Sequence, residues 1–277
     1  MKESSMAANP EKYWQKICGI EVYKLKHHLQ RLLYTFFRLK MPKLADQRLY
    51  WKKRGTVYMD EILASGYLDR EAFFQDMLID QLRNIEFGSF FEAGCGFGWN
   101  IRRVREEFDD VFVGGLDFSL SQLQSSERYL QGQDIPVVNG DNCCIPLKDN
   151  AFDVGFSLGV FMNIHPAKIE SALKEMLRVC GKYIIHLEYD ENHTTPELRE
   201  KRAFKTNIVS HDYKGLYEKL GAQVVSYTSH DDFGPQYHAY QRKIKSDLDR
   251  WEGFEGPEKY VFLVVKVGDD RELSEEA

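Results

Sequence analysis

The sequence predicts an α/β protein built on a mostly parallel, seven-stranded, doubly wound sheet. Three observations carry that expectation. Short apolar runs of strand length alternate with helical stretches. The first run, Phe90-Phe91, ends in Glu92 and a glycine turn, Gly94-Cys95-Gly96-Phe97-Gly98, before Trp99-Asn100 opens a helix. The following runs also end in acidic or small residues. In such a sheet the carboxyl ends of the strands line one crevice, where ligands bind.

After a helical stretch over 101–108, the run Val111 to Leu116 ends at Asp117, about 20 residues past the glycines, where an acid at the second strand tip belongs. A carboxylate only accepts hydrogen bonds, so Asp117 can take both hydroxyls of a ribose. A third run, Ile135 to Gly140, leads into Asp141-Asn142, and a fourth, Val154 to Val160, carries Ser157-Leu158-Gly159. Pro166 sits early in a helix that runs to Val179. A fifth strand is expected over Lys182 to Tyr189. Ser210 is the expected cap of a helix over 211–220, closed by Gly221. Ala222 to Thr228 and Lys259 to Val267 supply the last two strands. The connection between them, 229–258, is long enough to be a functional loop. Its Phe233, Tyr237, His238, Tyr240, Trp251 and Phe254 suit a substrate wall.

The glycines remove Cβ atoms that would keep a ligand off the main chain. Their spacing is G-x-G-x-G, whereas a dinucleotide fingerprint asks for glycine or alanine where this chain has Trp99. Together with Gly115-Leu116-Asp117-Phe118-Ser119, Gly140-Asp141 and Ile145-Pro146-Leu147 … Asn150-Ala151-Phe152-Asp153-Val154, the turn resembles the ordered motifs of class I S-adenosylmethionine-dependent methyltransferases. The resemblance spans roughly residues 70 to 268 and implies a Rossmann-like sheet whose last strand is antiparallel. It implies that Glu92 and the backbone of Gly94, Cys95, Gly96 and Gly98, with Asn100 at the helix start, hold the methionine end of S-adenosylmethionine. Asp117, followed by Phe118, takes the ribose. Asp141 and Asn142 lie near the adenine, and Ser157 and Leu158 flank the amine. The family's Pro-Gly-Gly turn before the fifth strand is replaced by Arg178-Val179-Cys180-Gly181, a structural departure.

Domain organisation follows as a helical N-terminal extension and cofactor lid over 1–69 and a methyltransferase domain over 70–277, with 229–258 as a substrate-side insertion. The resemblance makes Tyr50, Trp51, Arg54 and Tyr58 lid residues, with Arg54 able to clamp the cofactor carboxylate. A surface helix with buried aromatics is the other reading of that segment.

Charge is unevenly spread. Residues 1–54 hold 13 Lys and Arg against 4 Asp and Glu, while the remainder holds 24 against 39. Cys18, Val22, Leu25, Leu29, Leu32, Phe36 and Leu39 recur at helical spacing within that basic head. A helix over 17–40 would pack on its own domain, on a second copy as a homodimer, or on an anionic membrane as a peripheral contact. Nucleic acid is not expected, because no reading motif accompanies the basic stretch and the body is acidic. Five cysteines without metal spacing, no membrane-spanning run and no secretory leader predict a cytoplasmic protein, membrane-associated if the head helix binds lipid. No metal is expected.

For catalysis, an O-methyltransferase must remove a proton from its acceptor. His165, just beyond the fourth strand, is the leading base candidate, and its alternative is capping the Pro166 helix. Glu188 and His211 are further candidates. His186 is expected to be a buried, hydrogen-bonded histidine. The function expected is methyl transfer, most plausibly to oxygen, on a small-molecule, sugar-containing or lipid-linked acceptor. The alternative is an inactive scaffold of the same fold acting as a regulatory partner.

Overall fold

The computed structural model describes residues 47–192, 209–239 and 260–268, together with 16–17, 20–21, 29, 32–33, 36–37 and 242. The main sheet contains β1 (Ser89–Ala93), β2 (Phe112–Asp117), β3 (Val137–Asn139), β4 (Phe152–Leu158), β5 (Cys180–Tyr189), β6 (Gln223–Ser229) and β7 (Tyr260–Lys266). Their spatial order is β3-β2-β1-β4-β5-β7-β6. β1 to β5 pair in parallel, and β7 runs antiparallel between β5 and β6. This is the expected Rossmann-like arrangement. The order reverses between β1 and β4, so a crevice opens beyond their carboxyl ends.

Alternation within strands builds two cores. Phe90 of β1 faces one side with Phe156, Ile185 and Leu187, and meets α2 (Tyr67–Leu82) and α3 (Trp99–Glu107) through Phe74, Leu78, Ile101 and Val104. Phe91 faces the other side, against α5 (Pro166–Val179) and α6 (Tyr213–Lys219). In α5 the buried residues Ile169, Ala172, Leu173, Met176 and Val179 follow helical spacing and make one apolar stripe. Because both faces are covered, the central strands read as continuous apolar runs.

Several boundaries differ from expectation for local reasons. The α6 cap is Asp212, whose Oδ1 accepts from Gly215 N at 3.0 Å, and not Ser210. Lys16–Ile17 pairs antiparallel with Ile20–Glu21, a short ribbon overlapping the stretch where a helix was expected. Residues 29, 32, 33, 36 and 37 are helical, with Leu29, Leu32, Phe36 and Phe37 exposed. Tyr237 was expected on a substrate wall. It is instead fully buried against Phe73, Phe74 and Phe233, because its ring completes the core between α2 and the sheet. Tyr240, Trp251 and Phe254 lie outside the described residues.

The segment expected as a lid forms α1 (Gln47–Ala64), which lies against α4 (Leu120–Tyr129) and the glycine turn. Met59 and Ile62 pack on Phe97, and Tyr58 stands 6.1 Å from the Phe97 ring. The contact with α4 is made by small polar residues. Ser119 Oγ and Ser121 Oγ donate to Trp51 O at 3.2 and 3.4 Å, Ser121 also to Lys52 O, and Ser125 Oγ to Gly55 O. Gly55 makes this approach possible. A Cβ there would fall well inside contact distance of Ser121 Oγ and 3.1 Å from Gln122 N.

Gly55→Ala should therefore lower the melting temperature, although alanine favours an isolated helix over glycine by about 1 kcal/mol. Thermal melts check this, and the loss should shrink in a Ser121→Ala background, where the obstructing hydroxyl is gone.

Candidate active site

The crevice starts at the tip of β1. Glu92 is buried on the last turn of strand before the glycines, and its Oε1 accepts from Asn100 Nδ2 at 2.7 Å. Asn100 is held in that orientation from the other side: Gln75 Nε2 of α2 donates to Asn100 Oδ1 at 3.3 Å and to Trp99 O at 3.1 Å. Glu92 Oε2 has no partner. Burial, with the negative charge of Asp117 nearby, raises the Glu92 carboxyl to about 8 despite the Asn100 bond.

The turn itself is held by its own main chain. Gly94 N and Cys95 N both donate to Leu116 O, at 2.6 and 2.9 Å, which ties β1 to the tip of β2. Gly94, Gly96 and Gly98 all have positive φ, where side chains are strained. Cys95 is buried, and burial pushes its thiol well above the ordinary range. Gly96 N donates to Asp117 Oδ2 at 3.0 Å, and Ser119 N to Asp117 Oδ1 at 2.7 Å. Burial raises Asp117 to about 6, and those two amides oppose the rise. Each Asp117 oxygen keeps acceptor capacity for a ligand hydroxyl. Phe118 is half-buried beside it.

At β3's end, Asp141 Oδ1 accepts from Cys143 N at 2.9 Å in a tight turn, and Asn142 is buried with Oδ1 unpartnered. The structure thus brings the expected residues of β1, β2 and β3 to one end of the sheet. It also leaves Glu92 Oε2, Asn142 Oδ1 and Gln122 Oε1 as buried acceptors without donors. A ligand that fits here must bring N–H or O–H groups.

Past β4 the structure gives Glu188 a different employment from the general base expected. Glu188 is fully buried on β5, and its carboxylate gathers donors: Ser157 Oγ at 2.7 Å, Val160 N and Phe161 N at 3.0 Å on Oε1, and Met162 N at 3.1 Å on Oε2. Successive amides wrapped on an anion form a nest. Burial raises its carboxyl, and the donors oppose that rise. The nest fixes the loop that carries Val160, whose side chain fills the space where a Gly94 Cβ would stand. Ser157, donating to Glu188, accepts from His186 Nδ1 at 2.7 Å, which leaves His186 Nε2 to accept from Tyr217 Oη at 2.6 Å. His186 is buried and neutral, lowered to about 3 by burial. Leu158 is half-buried at the strand end.

His165 is exposed and caps α5, its Nδ1 accepting from Ala167 N at 3.1 Å. In the neutral ring that leaves Nε2 as the proton donor. His211 is buried, donates from Nε2 to Ile164 O at 3.0 Å, and is lowered to about 4 by burial. At neutral pH it is uncharged. On α1, Arg54 is paired with Glu61 and lies 5.3 Å over the Tyr58 ring, while Trp51 meets Tyr58 edge-on at 5.3 Å. In this arrangement the Arg54 guanidinium serves helix α1 rather than a ligand carboxylate. No cluster of residues suited to a metal ion occurs among the described residues. Likewise, no described helix is long and apolar enough to cross a membrane.

Three residues escaped the sequence reading: Gln75, Gln122 and Gly55. Gln75 and Gln122 lie inside helices and belong to no short motif. The available signal was a polar residue on an otherwise buried helical face.

The fold and crevice define a Rossmann-like methyltransferase architecture, and the comparisons agree. Residues 90–182 match the family model described as a methyltransferase domain. That match agrees with the resemblance of the sequence to the class I S-adenosylmethionine-dependent methyltransferases. A demethylmenaquinone methyltransferase of Staphylococcus aureus is 30% identical over 132 residues, 45% of this chain and 52% of that protein. The chain therefore spans about half the length of the curated relatives it matches. Among solved structures, geranyl diphosphate C-methyltransferase from Streptomyces coelicolor A3(2) aligns with TM-score 0.52 at 14% identity, over 65% of this chain and 70% of that one. The cyclase SpnF aligns with TM-score 0.53 at 16% identity, over 70% and 79%. These two share the fold under different activities, so chemistry must be argued from the site.

The raised carboxyls predict a pH dependence with a definite sign. A carboxyl raised on folding stabilises the fold in its neutral form, and that contribution is lost as pH rises to its folded value. For Asp117 the loss is complete near 6, and for Glu92 it continues to about 8. His186 and His211, lowered on folding, cost stability only below their ordinary 6.5. Between about 6.5 and 8, ligand-free protein should lose stability through Glu92, and Glu92→Gln should flatten that window in thermal melts.

Proposed function

We propose that this chain transfers a methyl group from S-adenosylmethionine to a small-molecule acceptor. The observation that carries the reading is the buried Glu92 carboxyl with one oxygen unpartnered beneath a main-chain turn bare of side chains. A cationic amine would replace the proton that burial holds on Glu92. The Asp117 carboxylate suits ribose hydroxyls, Asp141 and Asn142 border the adenine, and the amides and carbonyls of Gly94 to Gly98 and Ser157 to Leu158 provide the wall. When bound, S-adenosylmethionine supplies an electrophilic methyl on its sulfonium. The protein's part is to orient it, keep water out and present the acceptor. Residues 1–69 serve as an extension, of which α1 covers the crevice.

Calorimetric titration with S-adenosylmethionine tests this directly. Binding is expected for the wild type, with Glu92→Ala weakening it at least about tenfold, the scale of a lost charge-assisted bond. No binding by the wild type would remove the reading. Binding without turnover on any acceptor would favour the inactive scaffold.

The finer reading, O-methylation of a sugar-containing or lipid-linked hydroxyl, requires a base. Glu188 is committed to its nest and His211 is a weak base in its buried state, so His165 would carry the role by releasing its cap. An acceptor carbon or amine that needs no base from the protein is the second reading, favoured by the same three commitments. His165→Ala should lower turnover about 10²–10⁴-fold with unchanged cofactor affinity if the hydroxyl reading is right. Unchanged turnover selects the second.

The head supports a lipid-linked acceptor in its own way. Leu29, Leu32, Phe36 and Phe37 are exposed at helical spacing within the basic segment. Flotation with anionic liposomes should recover the protein in the lipid fraction, and Leu29→Glu with Phe36→Glu should abolish that. Recovery only in the soluble fraction would leave self-association or packing.

A further inference from the structure

Gln122 stands in the first turn of α4, five residues beyond Asp117, and is buried. Its backbone N donates to Ser119 O at 2.9 Å, which sets the side chain toward the glycine turn. A methyl on Gly96 would find the Gln122 amide as its nearest neighbour, Nε2 at 3.8 Å and Cδ at 4.0 Å. α1 approaches the main chain of the same residue, since a methyl on Gly55 would come within 3.1 Å of Gln122 N. The side-chain amide lies beside Gly96, the most open glycine of the turn, whose N donates to Asp117.

Its oxygen is out of place there. Ser119, Ser121, Ser125 and Ser126 on the same segment all spend their hydroxyls on main-chain carbonyls. Gln122 Oε1 is buried with no donor. Leaving such an acceptor unpartnered costs stability, whereas Met would fill nearly the same volume without that cost. The charge also discriminates. Glu92 suits a cation, but a neutral amide oxygen suits an uncharged O–H or N–H.

Resting on the methyl-donor reading of the crevice, we propose that Gln122 is a further binding residue of the nucleoside subsite. Its Oε1 accepts a hydrogen bond from a neutral donor of the adenosyl group, either a ribose hydroxyl or the exocyclic amine. The residue thereby contributes to selecting a nucleoside-bearing ligand.

The test pairs stability with affinity. Gln122→Met removes an unpartnered acceptor, so the ligand-free variant should melt at or above the wild-type temperature. The same variant should bind S-adenosylhomocysteine about 5–30-fold more weakly in calorimetry, the fold-change of one hydrogen bond. These opposite signs separate a ligand contact from a packing role, in which both quantities would fall. Titration with the analogue lacking the exocyclic amine, and with the 2′-deoxy and 3′-deoxy analogues, identifies the source. The analogue missing the donor should bind wild type and variant equally. Unchanged or tighter binding of S-adenosylhomocysteine by Gln122→Met, while the wild type binds it, overturns the inference and leaves the methyl-donor reading intact. Failure of the wild type to bind overturns that reading first. Gln122→Leu takes the place of Gln122→Met if the latter does not fold, with the same two outcomes.

Discussion

A carboxylate placed inside a protein without a counter-charge has few options, and the site is organised around that difficulty. Glu92 lies at the end of a central strand covered on both faces. Ionisation in such a place is strongly disfavoured, so the group either keeps a proton or finds a cation. One oxygen is steadied by Asn100, which Gln75 steadies in turn, and the other waits. The glycine turn, the paired amides on Leu116 O and the Asp117 corner are arranged about this point. Without side chains in the turn, a ligand can reach the carboxyl.

A second buried carboxylate shows the opposite solution. Glu188 is satisfied entirely from within, by one hydroxyl and three amides of the segment after β4. Two acids two strands apart in the sheet thus contrast: one keeps a buried oxygen without a partner, and the other gathers a hydroxyl and three amides to build a wall. Their different environments, not their residue type, assign the roles.

Much of this was legible beforehand, and the reasons are physical. Strand periodicity, the glycine spacing and the acids at strand tips are local signals, so the sheet order and the residues at its carboxyl end could be anticipated. His186 could be recognised as buried from its place between apolar neighbours. What could not be read depends on groups that sequence does not display. Glu188 looked like a base because backbone amides have no letter in the sequence. Gly55 looked like an ordinary position in a surface helix, since its value lies in how closely α4 approaches. Tyr237 sits in a polar, aromatic-rich connection that suggested a binding wall, yet its ring was needed to fill the core over α2. Ser210 and Asp212 are both good caps, and only the start of α6 decides between them.

Because Val160 rests where Gly94 has no side chain, the wall beyond β4 and the floor beneath the turn share a surface. That surface is ordered by bonds internal to the chain, so its conformational entropy is lost during folding and not when a small molecule arrives. A small molecule bound against Val160 would then meet a wall already formed.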